Sequence, residues 1–365
     1  MTLLEAMRQH DYEEVIALNN NRSGLRGFIV IHDTTRGPAL GGIRVWRYED
    51  EAEALADGLR LARAMTYKAA LAGLDCGGGK AVVIEHPEMR REEAMRFLGR
   101  VVESLHGRFQ TGRDLGLTDQ DIAVLRQETR YIGCEGAESD DYTALGVMCG
   151  IRACLDHLTG GQHTLSGLRV AIQGLGGIGW RLAQVLRDAG CHLIVTDIDR
   201  EKTHRAESEL GATVVSPEEI YSVEADVFSP CAVGGVITQA TLPRLRVRII
   251  AGSANNVLAD PSLGWHVRER GILYAPDYLI NAGALIHGAN LYLKGKKDNR
   301  AEVMEIYDRM REVLRRADEE NLPTNVIADR LAEQRVKPFK TYRDLFWNSP
   351  THAQEVNEPT RGCCG

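Results

Sequence analysis

Apolar residues recur along this chain with two periods, one of two residues and one of helical spacing, and the switches between them outline successive α/β units. Phe28 to His32 is strand-like, and Asp50 to Tyr67 carries Ala, Leu and Met at helical spacing. Lys80 to Glu85 (KAVVIE) predicts a buried strand, Arg91 to Leu105 a helix, and Asp119 to Glu128 a second helix capped by Thr118. Small and acidic residues from Gly133 to Asp141 then interrupt the pattern, and a long helical stretch runs from Tyr142 to Leu158. From Leu168 the alternation is more regular. A strand (LRVAIQ), a glycine turn, a helix from Trp180 to Ala189 and a strand (HLIVTD) are followed by another helix and short β segments at Ala225 to Phe228 and Arg248 to Ala251. That order calls for a parallel, doubly wound sheet. Two amphipathic helices, Ala301 to Glu319 and Asn325 to Gln334, are placed to pack back onto the first unit.

The expected fold class is therefore α/β with two domains and a cleft between them. Residues 1–138 form an N-terminal α/β domain, 139–320 a Rossmann-type domain, 321–348 a returning C-terminal helix and 349–365 a disordered tail. A length of 365 residues agrees with two cores rather than one. Charged residues make up 26% of the chain and the net charge is -7, which gives no reason to expect nucleic acid or an anionic membrane as partner. The N-terminus mixes charges where a signal peptide has an apolar core, and no stretch approaches ~18 uninterrupted apolar residues, so a cytoplasmic protein is expected. Eight cysteines without CxxC spacing argue against a metal site or a disulfide framework, and the adjacent Cys363 and Cys364 are assigned no function.

Candidate chemistry begins at GLGGIG. Gly174, Gly176 and Gly179 sit between a strand and a helix, a context in which glycines permit a tight turn, close approach of backbone to a pyrophosphate, and close packing of helix on strand. Leu175, Gly177, Ile178 and Trp180 complete that turn. Asp197 follows Gly179 by 18 residues at the end of LIVTD, where a carboxylate accepts from ribose hydroxyls and repels a 2′-phosphate. NAD is thus favoured over NADP, with Arg200 nearby as the opposing feature. The alternative is a glycine turn in an ordinary α/β domain, with Asp197 as a helix cap.

A dinucleotide site leaves the reaction open. In the first domain Lys68 closes MTYK, and Lys80 follows three glycines in CGGGK. A lysine in a desolvated pocket beside another cation loses proton affinity and becomes a usable base. Three consecutive glycines are costly in backbone entropy unless something approaches the main chain closely, or unless they make a tight helix-to-strand turn. Asp114, in TGRDLG, stands between Gly112 and Gly116 after another strand-like segment. Amine oxidation needs such a set: a cation for the substrate carboxylate, a base for water or amine, and a carboxylate to move protons.

The runs IHDTTRGPALGG, MTYK, GGGK, TGRDLG, GLGGIG, DVFSPCAVGG, AGSANN and APDYLINAG occur in an order, over nearly the whole chain, that resembles the leucine/phenylalanine/valine branch of the glutamate dehydrogenase family. The resemblance implies that Lys80 activates the water attacking an imino acid and that Asp114 transfers protons. It also implies that Lys68, the backbone at Gly41 and Gly42, and Asn256 hold the substrate α-carboxylate. Asn281 and Thr143 correspond to positions near the nicotinamide carboxamide, and Cys231 and Ala232 to positions lining the adenosine side. Leu40, Gly112, Leu285 and Gly288 are the side-chain pocket candidates, and none is cationic, as a glutamate pocket would require. The chain departs from the family pattern in lacking an Asn-Pro-Ser stretch before Thr143 and in carrying Ala284 where a further glycine is common.

The activity expected is NAD-dependent oxidative deamination of an apolar, bulky aliphatic or aromatic L-amino acid to its 2-oxo acid and ammonium, and the reverse reductive amination. The expected assembly is a homo-oligomer, a dimer or an octamer. Alternatives are a catalytically silent NAD(H)-binding sensor or scaffold, and a related dehydrogenase with a folate or acidic substrate.

Overall fold

The computed structural model describes residues 2–133 and 138–343. Part of the expected interdomain segment, the 349–365 tail and Cys363 with Cys364 lie outside the described residues. Two six-stranded sheets organise the rest. The first contains β1 (Glu14–Asn20), β2 (Leu25–Asp33), β3 (Ala39–Leu40), β4 (Ile43–Trp46), β5 (Gly77–Ile84) and β6 (Phe109–Gln110). Its order is β1-β2-β5-β3-β6, with β4 also on β5. The β1–β2 and β2–β5 pairs are antiparallel, whereas β3 and β4 run parallel to β5.

The second sheet contains β7 (Arg169–Gln173), β8 (His192–Thr196), β9 (Thr213–Val214), β10 (Val227–Pro230), β11 (Ile249–Ile250) and β12 (Leu273–Tyr274), all parallel, in the order β12-β11-β10-β7-β8-β9. This is the doubly wound Rossmann arrangement. The strand order reverses beside β7, and the GLGGIG turn leaves the carboxyl end of that strand. Ligands of open α/β sheets bind at such a switch point.

Strand β5 is buried along its whole length, which explains its unbroken apolar run. The helix Glu51–Leu71, started by the Asp50 carboxylate accepting the Glu53 N–H, packs on β5 and β2. The helices Arg91–Ser104 and Asp119–Glu128 pack on each other and close the first core with Met95, Leu98, Leu125 and Phe109. Thr118 caps the second of these in a reciprocal capping box with Asp121.

The other large apolar cluster is not confined to the second sheet. It joins the end of the helix Glu51–Leu71 to the helices Glu138–Thr159, Ile306–Glu319 and Thr324–Arg343. Tyr67 Oη donates to Glu333 Oε1 at 2.9 Å, and Arg309 Nη1 donates to the Leu71 carbonyl at 3.2 Å. The C-terminal helices thus strap the two sheets together beside the cleft.

Several element boundaries differ from the sequence pattern. The strand expected to start at Lys80 begins at Gly77, because Gly77 pairs as strand with Ala39, Gly78 with Leu40 and Asp33, and Gly79 with Ile31, rather than forming a turn. A single helix expected from Ala301 to Glu319 is divided into Arg300–Met304 and Ile306–Glu319. The helix expected at Asn325 to Gln334 continues to Arg343.

The glycine triplet is a close-approach device within the protein. A Cβ at Gly77 would lie 1.7 Å from the Asp33 carbonyl oxygen, one at Gly78 2.1 Å from the Thr66 nitrogen, and one at Gly79 2.9 Å from the Phe109 ring. Backbone on both sides leaves no room to yield. Gly78→Ala is therefore expected to lose about 2 kcal/mol or more of stability, measured by urea unfolding. A variant within about 0.5 kcal/mol of wild type would contradict this packing.

Candidate active site

Strand β5 emerges from the triplet at Lys80, whose side chain is only 6% exposed. Burying an ammonium is expensive unless it is paired, and the partner is Asp114, whose Oδ2 lies 2.8 Å from Lys80 Nζ. Asp114 arrives on the loop after β6, held close to the β3–β4 kink: a Cβ on Gly42 would come within 2.9 Å of the Asp114 Cβ. Gly41 is packed still more tightly, with the Gly79 carbonyl oxygen 1.7 Å from its Cβ position. Its N–H donates to the Gln110 carbonyl, so Gly41 and Gly42 hold β3, β4, β5 and the Asp114 loop together.

Burial pushes the Lys80 pKa down and outweighs the opposing pull of Asp114. For Asp114, burial acts upward, but Lys80 and Arg44 prevail and hold the carboxyl below its usual range. Lys68, in the last turn of the helix Glu51–Leu71, is half-buried. Desolvation, set against Asp277 and reinforced by Lys80, pushes it down to about 8. Two cations and one carboxylate from three separate elements thus converge. A base, a proton-transfer group and a cation for an anionic substrate group are the chemical capacities of this set.

Lys68 also reaches across to the second sheet. Its Nζ donates to Asn255 Oδ1 at 3.5 Å, and Asn281 Nδ2 donates to the same oxygen at 3.0 Å and to the Ser253 carbonyl at 3.1 Å. Asn281 is 5% exposed, and its Oδ1 has no hydrogen-bond partner among the described residues. Asn256 behaves differently from Asn255. Its backbone is left-handed, with φ 53°, and its N–H donates to Asp277 Oδ2 at 2.7 Å. Asp277 is fully enclosed, accepts from the Tyr274 hydroxyl on Oδ1, and has its pKa raised by burial. It fixes the loop that presents Asn255 to Lys68.

The dinucleotide turn lies at the carboxyl end of β7. Gly174 has φ 100°, and a Cβ there would meet the Ala232 Cβ at 2.6 Å, so only glycine fits. Gly176 caps the helix Gly177–Asp188, and a Cβ on it meets nothing within 4 Å. A Cβ on Gly179 would strike the Gly174 carbonyl oxygen at 2.1 Å. Asp197 accepts from the Leu175 N–H at 2.7 Å and the Asp199 N–H at 2.9 Å, which sets its carboxylate beside the turn. The Cys231 N–H donates to the Gln173 carbonyl at 2.7 Å, bringing Cys231 and Ala232 to the same strand ends. Ile178 lies within the first turn of the helix, and the Trp180 ring packs under the Arg205 guanidinium at 4.0 Å. The open space over Gly176 at a helix N-terminus and the orphaned Asn281 oxygen both fit a nicotinamide dinucleotide.

The remaining candidates are distributed around the cleft. Thr143 is buried, donating to the Ser139 carbonyl at 2.9 Å and accepting from the Ala284 N–H at 3.2 Å, so it ties the helix Glu138–Thr159 to the helix Gly283–Lys294. Leu285 and Gly288 lie on the latter helix, whose Tyr292 faces Gln110, two residues before Gly112. Leu40 is buried on β3, and Gly112 accepts the Ile43 N–H through its carbonyl. Arg44, Asp57, Asn255 and Asp277 were not singled out from sequence. Arg44 lies two residues after Gly42, and Asn255 and Asp277 lie inside two of the motif runs, which was the available signal.

A Rossmann sheet whose glycine turn opens on a cleft, with a buried lysine and aspartate on the opposing sheet, defines a two-domain nicotinamide-dependent dehydrogenase. Residues 13–131 match the Glu/Leu/Phe/Val dehydrogenase dimerisation domain, and residues 194–326 match the Glutamate/Leucine/Phenylalanine/Valine dehydrogenase family. The chain is 44% identical to a leucine dehydrogenase of Geobacillus stearothermophilus over 96% of its own length and 98% of that protein. It is 44% identical to a phenylalanine dehydrogenase of Bacillus thermotolerans, over 92% of this chain and 91% of the relative. The crystal structure of L-tryptophan dehydrogenase from Nostoc punctiforme superposes with a TM-score of 0.82 at 40% identity, covering 93% of this chain and 100% of that one. The chain belongs to the Glu/Leu/Phe/Val dehydrogenase family, in its leucine/phenylalanine/valine branch.

Proposed function

We propose that this chain catalyses NAD-dependent oxidative deamination of a bulky apolar L-amino acid to its 2-oxo acid and ammonium, and the reverse reductive amination. The observation that carries this reading is the buried Lys80–Asp114 pair, 2.8 Å apart, facing the cleft toward Lys68. A silent NAD(H)-binding protein would have no use for a desolvated lysine and carboxylate at that position. Relatives named as leucine, tryptophan and phenylalanine dehydrogenases share the chain's length and support the apolar class.

In this reading Lys68 pairs with the substrate α-carboxylate, assisted by Asn255 from the second domain and by the backbone at Gly41 and Gly42. The bound nicotinamide supplies the acceptor for the hydride that leaves the α-carbon. Lys80, whose proton affinity burial lowers, takes in its neutral form a proton from the water that attacks the resulting imino carbon. Asp114, ionised at rest, takes a proton from the substrate ammonium before the hydride leaves and returns it to the amine of the hydrated intermediate; the amine departs as ammonia while the hydroxyl proton passes to solvent, leaving the ketone. Asn281 offers its unpaired Oδ1 to a carboxamide N–H, and the Gly174–Gly179 turn offers backbone N–H groups to a pyrophosphate. Leu40, Gly112, Leu285 and Gly288 form the side-chain wall, where two glycines leave room for an aromatic or long aliphatic group. The match of residues 13–131 to a dimerisation domain supports assembly as a homo-oligomer through the first domain. No helix among the described residues is long and apolar enough to cross a membrane.

Lys80→Ala is expected to lower kcat for deamination by roughly 10²–10⁴-fold while the calorimetric Kd for NAD changes little, because base and cofactor turn lie on different sheets. A variant within tenfold of wild-type kcat would remove Lys80 from the chemistry. Because burial lowers the Lys80 pKa, the lysine loses its proton at a lower pH than a free lysine, and the wild-type kcat should rise across the mildly alkaline range. The amino-acid KM should climb above about pH 8, where Lys68 loses its charge. A kcat falling steadily over that range would oppose the assignment.

Asp197 gives the cofactor preference. Its carboxylate, fixed by two backbone N–H groups, accepts from ribose hydroxyls and repels a 2′-phosphate. The kcat/KM for NAD is therefore expected to exceed that for NADP, and Asp197→Ser should narrow the ratio. Equal use of the two cofactors by the wild type would contradict this role.

A further inference from the structure

Asp114 has two cationic neighbours, and both sit on the same oxygen. Lys80 Nζ is 2.8 Å from Oδ2, and Arg44 Nε is 2.9 Å from that same atom. Among the described residues Arg44 donates to Oδ2 and not to Oδ1. Arg44 is on β4, next to the strand that bears Lys80, and its side chain is 19% exposed. Its second face is occupied as well: Nη1 donates to Asp57 Oδ2 at 3.0 Å, and Asp57 lies on the helix Glu51–Leu71, which also carries Lys68. Asp57 is itself fixed by the Tyr48 hydroxyl at 2.8 Å and by Arg60 Nη2 at 2.5 Å. The planar guanidinium therefore spans two carboxylates, one at the reaction centre and one with no contact to it.

Resting on the assignment of Lys80 and Asp114 to the chemistry, we propose that Arg44 is a positioning residue: anchored on Asp57, it ties Asp114 Oδ2 beside Lys80 so that Oδ1 alone meets the reacting amine. Two consequences follow from that geometry. The Asp114 carboxylate is held in one rotamer, since a carboxylate bonded only to a flexible lysine would be free to swing. Its negative charge is also shared between two cations. Were Lys80 its sole partner, the salt bridge would keep the ammonium protonated and disable the base.

The charges around Lys80 act in both directions. Burial lowers its pKa first, Asp114 and Asp57 act upward, and Arg44 acts downward. Arg60 and Tyr48 face Asp57, and Lys68 faces Lys80 from the end of the helix. Arg44 and Lys80 both lie within 3 Å of one oxygen atom, so the guanidinium acts on the lysine at close range. Removing the guanidinium charge therefore raises the Lys80 pKa.

The test is the pH profile of kcat/KM for deamination in wild type, Arg44→Gln, Arg44→Lys and Lys80→Ala, measured on the full-length holoenzyme. Arg44→Gln is expected to move the ascending limb up by about one pH unit and to lower kcat by roughly 10- to 100-fold, with the NAD Kd within about twofold of wild type. Arg44→Lys keeps the charge but cannot span both carboxylates, so its limb should stay at the wild-type pH while kcat falls. An unmoved limb in folded Arg44→Gln, whatever its rate, overturns the proposal, because a structural role lowers activity without changing the titration. If Arg44→Gln does not fold, Arg44→Lys decides: wild-type kcat, or a reduced kcat accompanied by changed KM and NAD Kd, overturns the proposal, whereas a reduced kcat at wild-type KM and NAD Kd on an unmoved limb supports it, because a general disturbance of the fold would move the binding constants as well. Lys80→Ala separates the two levels. An active Lys80→Ala refutes the catalytic assignment and the proposal with it, whereas an inactive one beside an unmoved Arg44→Gln limb refutes the positioning role alone.

Discussion

The site depends on the absence of side chains at three consecutive positions of β5. Because Gly77, Gly78 and Gly79 present bare backbone, the Asp33 carbonyl, the Thr66 amide and the Phe109 ring press directly against the strand. The helix Glu51–Leu71 is thereby held with its last turn beside the start of the strand's apolar run. Lys68 and Lys80, 12 residues apart in sequence, then face one cleft from two different elements. A Cβ at Gly78 would push the helix outward and separate them, and one at Gly77 or Gly79 would displace the Asp33 backbone or the Phe109 ring. The buried charges at Lys80 and Asp114 are tolerable for the same reason: the packing that excludes water also brings each the partner that offsets its desolvation.

A second constraint acts on the opposite wall. The apolar cluster that contains the Rossmann core runs without interruption through the helices Ile306–Glu319 and Thr324–Arg343 to the end of the helix Glu51–Leu71. Asp277 anchors the Asn256 backbone while Asn281 and Lys68 converge on Asn255, so the corner proposed to bind the substrate carboxylate is assembled from both domains. Substrate recognition and the relative placement of the two sheets are therefore coupled through a few buried polar contacts. The hydride-accepting ring and the proton-handling pair must meet over the substrate, and this corner lies at that junction.

The parts of this arrangement that were readable from sequence are those with local signatures. The β7 turn declared itself through glycine spacing plus an aspartate at the end of the next strand, and Lys80 through its glycines. The β1–β2 hairpin was not read as a pair, since β1 carries Glu14, Asn19 and Asn20 at an edge and lacks a strong apolar alternation. The β3–β4 segment is split by Gly41 and Gly42, which removes the periodicity a strand would display. The helix Gly283–Lys294 begins at a glycine and contains another, which weakens its helical signal in the sequence. Arg44 stayed invisible for a different reason: its role is defined by Asp57 and Asp114, 13 and 70 residues away, and no spacing rule connects the three. Asn255 and Asn256 are adjacent and chemically identical, and only the left-handed backbone at Asn256 decides which side chain reaches Lys68.

The measurement that bears most directly on the central claim is a crystal structure of the protein with NADH and phenylpyruvate, the 2-oxo acid with a benzyl side chain. The account expects the carboxylate on Lys68, the ketone oxygen within hydrogen-bond reach of Lys80, Asp114 Oδ1 turned toward the same carbon, and the ring between Gly112 and Gly288. A carboxylate bound away from Lys68, or a ketone out of reach of both Lys80 and Asp114, would contradict it.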